Sequence, residues 1–141
     1  MKPMNRSKLE ALVLLATAFS LGHAIDHIIR DDLRWSLTAE SVGFLVVTLV
    51  TYGVIAAGLY LYSKGKVGPR FWAILGGIAV GFVWLAHFSP FTDQPASYIL
   101  DAYESATAGW LAVSDLVALM LVLIVTALYA SYLWIRSAQV S

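Results

Sequence analysis

The chain has 141 residues, enough for one compact domain and too few for two of ordinary size. Hydrophobic residues make up 60% and charged residues 13%, against roughly 25% charged in a soluble domain, so lipid must cover part of the folded surface. Zero formal net charge gives no basis for a nucleic-acid partner, and the absence of cysteine excludes disulfides, thiolate metal sites, thioether-attached haem and cysteine nucleophiles.

Lys2, Arg6 and Lys8 precede the first apolar run, residues 9–29. Basic residues before an apolar stretch also mark secretory signals. This run is too long for one and ends in His23, Asp26 and His27 instead of a small-residue cleavage site, so it is expected to stay as a helix. A membrane span needs about 20 apolar residues to cross about 30 Å of hydrocarbon. Residues 39–62, 71–88 and 107–135 supply three more. Each must be helical, because only a helix satisfies its own backbone polar groups in lipid.

The connections support this division. Thr38 reads as the N-cap of the second helix, with Glu40 in its first turn. The short 63–70 segment predicts helices two and three as antiparallel neighbours, and Pro90 and Pro95 end the third helix. Residues 96–104 are expected to form a short interfacial helix. The fold class is an all-α membrane protein: a single four-transmembrane-helix bundle over 1–141, with both termini inside.

That orientation follows from the basic residues. Lys2, Arg6, Lys8, Lys64, Lys66, Arg70 and Arg136 fall on one side, and only Arg30 and Arg34 on the other. Both termini are therefore expected in the cytoplasm, with the chain in the inner membrane. Trp72 and Trp134 then belong to the inner aromatic belt, and Trp35 and Trp110 to the outer one. Glu10, at the inner boundary, is expected to snorkel or to pair with a lysine. Gly77 and Gly81 have GxxxG spacing, with Ala73 one turn earlier. Such a stripe serves packing inside the bundle or a homodimer, and Gly53 and Ala57 offer a matching surface.

All three histidines lie inside predicted spans. At about 1.5 Å per residue from the inner ends, His23 lies at roughly 21 Å, His27 at roughly 27 Å, His87 at roughly 24 Å and Asp115 at roughly 21 Å. Three helices thus carry ionisable groups to one level near the outer face. His23, Asp26, His27 and Arg30 share about 100° of arc on helix one, bordered by Ser20. An ionisable residue inside a span costs roughly 2.5–3.5 kcal/mol and normally faces the bundle interior. This face is therefore expected to point at helices three and four.

Several chemistries fit. His23, His27 and His87 supply three nitrogen ligands for zinc or copper, with Asp115 or Asp26 completing the site or orienting a ligand. Alternatively, His87 and one helix-one histidine clamp a haem b iron from opposite sides. The His-Ala-Ile-Asp-His run lacks the glutamate of HExxH metalloproteases, which argues against such a hydrolase. The same residues also serve as interhelical polar pairs with no ligand. Thr48, Thr51 and Tyr52 suit hydrogen bonds near mid-membrane. Asp31, Asp32, Asp93, Asp101 and Glu104 form an acidic outer rim that is solvated or gathers cations. The inner halves of the helices lack ionisable groups except at their ends, so transport by this chain alone is not expected.

The run His23-Ala24-Ile25-Asp26-His27-Ile28-Ile29-Arg30, then Trp35 and Leu37-Thr38-Ala39-Glu40, and later His87-Phe88 before a proline-containing loop, resembles small bacterial four-helix integral membrane proteins with an HxxDHxxR segment ending helix one. The resemblance covers most of the chain, implies the four-span architecture and assigns no role to any residue. The leading expectation is a small membrane binding or accessory protein holding a metal ion, or haem, near the extracytoplasmic face. A structural subunit of a larger membrane complex is one alternative. A small metalloenzyme acting on a lipid or quinone headgroup is another.

Overall fold

The computed structural model describes residues 3–30, 38–92 and 94–139. The expectations for Lys2, Asp31, Asp32, Arg34, Trp35 and Asp93, and for the Glu40 side chain, lie outside the described residues. Five helices follow one another: α1 (Pro3–Ile29), α2 (Ala39–Ser63), α3 (Pro69–His87), α4 (Ala96–Asp101) and α5 (Ala106–Ala138). Among the described residues there is no strand. Helices α1, α2, α3 and α5 are each long and apolar enough to cross a membrane.

Local chemistry sets the helix ends. Thr38 caps α2 by accepting a hydrogen bond from the Ser41 N–H, as its position predicts. Past the α2 C-terminus, Gly65 takes a φ of 70°, the left-handed conformation that closes a helix and that glycine adopts without steric penalty. Gly68 and Pro69 then start α3, proline being tolerated where its missing N–H has no helical partner. α1 begins six residues earlier than the apolar run, because the basic segment that precedes it is helical too. Ser105 caps α5 through the Ala108 N–H.

The packing is uneven. α5 is the central element, lying against α3, α1 and α4. One core at the Arg6 end joins Leu9 and Val13 of α1, Tyr62 of α2, Trp72 of α3, and Ala130 and Leu133 of α5. A second core joins Ile99 of α4 to Ala112, Val113 and Leu116 of α5, and holds α4 down on the bundle. α2 and α3 meet beside their short turn, where Gly58 lies under Phe71 and Trp72. Beyond that end the two helices part, and α2 touches α1 only sparsely. The expected neighbours are thus adjacent at one end only. A cavity of about 630 Å³ fills the space between α2 and the other long helices.

Three sequence expectations are corrected. Gly77 and Gly81 are not the internal packing stripe: nothing lies within 4 Å of a Cβ built at either. The close approach falls to Gly76, where a Cβ would stand 3.1 Å from the Ala127 Cβ and 3.3 Å from its Cα. Gly53 is likewise open. Trp72, expected in the inner belt, is only 3% exposed, because it fills the core between α2 and α5. Glu10 pairs with Arg6 one turn away, at 3.3 Å, and not with a lysine.

The glycine correction has a measurable consequence. Gly76→Ala is expected to destabilise the protein by about 1–3 kcal/mol through overpacking against the α5 backbone. Gly77→Ala, opening onto free space, is expected to be neutral or slightly stabilising. Equal losses in a denaturant titration of the two variants would contradict this packing.

Candidate metal centre

The site is built where α1 and α3 both end. His23 and His27 stand one turn apart on α1 and so share a face. His87 is the last residue of α3. The Nε2 of His23 lies 3.0 Å from the Nε2 of His87 and 3.1 Å from that of His27. One nitrogen from each of the three rings lies within 4.8 Å of the other two. His23 is 9% exposed and His87 5%. The α1 face thus points inward at α3, as the insertion cost of its charged residues requires.

The loop after α3 fixes the His87 ring. The Ser89 hydroxyl accepts from the Phe91 N–H at 3.3 Å, and the Thr92 hydroxyl donates back to the Ala86 carbonyl while accepting from the Gln94 N–H. This fold returns the Gln94 carbonyl to 3.1 Å from His87 Nδ1. A carbonyl only accepts, so Nδ1 carries the hydrogen and Nε2 presents its lone pair to the cluster.

On the α1 side, Asp26 organises the surroundings. Its Oδ2 accepts from Arg30 Nε at 3.0 Å and Nη2 at 2.8 Å, and its Oδ1 accepts from the Tyr103 hydroxyl at 2.6 Å. The Arg30 side chain is 1% exposed and lies over the Tyr98 ring of α4. Asp26 Oδ2 also stands 3.9 Å from His23 Nδ1, an atom with no hydrogen-bond partner among the described residues. The Gln94 carbonyl on His87 Nδ1 is the kind of partner that orients a metal-bound histidine through its outer nitrogen.

Burial, then the hydrogen bond to Asp26, pushes the Tyr103 phenol up to about 12. The phenol is raised in the folded state, so its contribution to stability is intact below the ordinary value of about 10 and is lost as pH rises through the folded value. A phenolate absorbance titration of Tyr103→Phe is expected to lose a transition near pH 12. Loss of an ordinary transition instead would show that the bond to Asp26 is not made.

Arg30 Nη2 lies 3.4 Å from His27 Nδ1, and a guanidinium only donates, so this contact suits a lone pair on Nδ1 and a hydrogen on Nε2. With that tautomer, His23 Nε2 faces a donor on His27 and a lone pair on His87. One neutral nitrogen cannot match both. Neutral tautomers leave either two lone pairs facing at 3.0 Å or one proton split between two acceptors. A single cation would accept all three lone pairs and give up only the longest contact, that with Arg30. Zinc–imidazole bonds of about 2.0–2.1 Å put tetrahedral ligands roughly 3.3 Å apart, close to the two observed contacts.

The remaining candidates fall outside the convergent group. The Asp26 carboxylate is held by Arg30 and Tyr103. The Asp115 carboxylate lies against Gly22, where a Cβ would stand 2.8 Å from Oδ1, and its Oδ2 has no hydrogen-bond partner among the described residues. Ser20, which borders the histidine face, pairs with the Tyr52 hydroxyl of α2 at 3.2 Å. Gln94 and Tyr103 were not singled out from sequence. Gln94 acts through a backbone carbonyl, which any residue type carries, and Tyr103 reaches Asp26 across 77 positions. No known family, characterised protein or solved structure matches the chain.

Proposed function

We propose that this protein is a small integral membrane protein that binds one zinc or copper ion through the Nε2 atoms of His23, His27 and His87. The observation that carries this reading is the meeting of three imidazole nitrogens from two helices, the central one, His23 Nε2, 3.0 and 3.1 Å from the other two. Three imidazoles suit either metal. The Gln94 carbonyl would hold the outer nitrogen of His87, and the Asp26 carboxylate stands 3.9 Å from that of His23. Haem is the weaker alternative. Two rings in direct contact at 3.0 Å leave no slot for a flat macrocycle between them.

Orientation belongs to the same proposal. Arg6, Lys64, Lys66, Arg70 and Arg136 gather at the end of the bundle opposite Arg30, and the Arg70 guanidinium lies 5.2 Å from the Trp134 ring centre. By the positive-inside rule that end is cytoplasmic, and the metal centre lies near the extracytoplasmic face. The protein is then a binding or accessory component of the inner membrane.

Metal analysis of the detergent-purified protein, with its visible spectrum, tests the reading. About one zinc or copper per chain is expected, lost in His87→Ala, with no Soret band. Well-folded protein that takes up neither metal on dialysis would favour a structural role for the histidines.

A further inference from the structure

The cavity beside α2 runs from Val13 and Trp72 at one end to His23, His27, His87 and Gln94 at the other. Along α1 the distance from Val13 to His27 is roughly 21 Å at about 1.5 Å per residue. That exceeds the roughly 15 Å depth of one leaflet's hydrocarbon. The walls are apolar apart from hydroxyl groups such as those of Thr48 and Thr51, and all three imidazoles stand at one end. Its volume of about 630 Å³ falls within the roughly 300–1,000 Å³ of small-ligand sites. Length and polarity together describe a single-chain amphiphile, head at the histidines and tail toward Trp72.

Charge selects the head. Resting on the metal reading above, a divalent ion held by three neutral imidazoles keeps its whole charge in a weakly polar setting. The Asp26 charge is already matched by Arg30 at 2.8 Å. Asp115 neither joins the converging group nor lines the cavity. An anionic oxygen in the open coordination position would supply the missing charge, and the cavity leads an amphiphile's head to that position, where it would displace water. We infer that the cavity binds a long-chain carboxylic acid, its carboxylate on the metal and its chain along α2.

Native mass spectrometry of the detergent-solubilised full chain tests this with palmitate and hexadecan-1-ol as probes. The zinc-bound species is expected to carry one palmitate. That adduct should be at least tenfold weaker on zinc-free protein and with the uncharged alcohol. It should also be lost in Ala79→Trp, which fills the cavity away from the histidines, while zinc stays bound. Val47→Trp, on the sparsely packed α2, gives the same test where Ala79→Trp does not fold. Zinc-bound protein that takes the alcohol as readily as the acid, or palmitate held equally without zinc, overturns the inference and leaves the metal reading standing. A spectrum with no zinc species, recorded before any palmitate is added, overturns the metal reading itself and the inference with it.

Discussion

Alanine at His23 is expected to weaken metal binding by about a thousandfold, on the order of 4 kcal/mol at 1.4 kcal/mol per tenfold. His23 has the central nitrogen, in contact with both of the others at 3.0 and 3.1 Å. Its removal leaves His27 and His87 with nothing between them and cuts three ligands to two. The folded state should not suffer in proportion. His23 Nδ1 has no hydrogen-bond partner among the described residues, so the substitution breaks no bond at that atom. A competition titration against a chromophoric chelator reads the affinity. A loss of less than tenfold would mean that the ion, if bound, sits elsewhere.

The largest expected loss of stability is at Asp26. Asp26→Ala removes the partner of Arg30 and the acceptor for Tyr103 in one step. The guanidinium left behind is 1% exposed, with the Tyr98 ring of α4 beside it. Breaking a buried pair from one side costs about 3–5 kcal/mol, most of it the isolated charge. Replacing both members, Asp26→Leu with Arg30→Met, should recover most of that loss, because an apolar pair of similar volume needs no desolvation. Chemical unfolding of the two variants measures both values. A double variant as unstable as the single one would show that the pair contributes more than mutual neutralisation.

The sequence carried the spans clearly because the hydrocarbon thickness acts on each helix separately. Runs such as 39–62 are set by composition alone and agree with α2, Ala39–Ser63, to within a residue. The inward direction of His23 and His87 was legible for a related reason: the insertion cost of an ionisable side chain leaves few other places for it. Relations between helices were much less legible. Gly76 and Gly77 are chemically identical neighbours, and only the rotation of α3 against Ala127 decides which is packed. The short turn at Gly65 brings α2 and α3 together but does not constrain how far they diverge beyond it, so the cavity between α2 and the other helices left no mark in the sequence. Asp115 reached the expected depth and yet met Gly22 instead of the histidines, because depth along a helix leaves the side chain's azimuth open.

X-ray absorption at the zinc edge of the loaded protein in detergent reads the coordination shell itself. Three imidazole nitrogens at about 2.0–2.1 Å are expected, with one oxygen completing the shell, and His27→Ala should reduce the imidazole count to two. A shell made mostly of oxygens, or an imidazole signal unchanged in His27→Ala, would contradict a centre built from these three histidines.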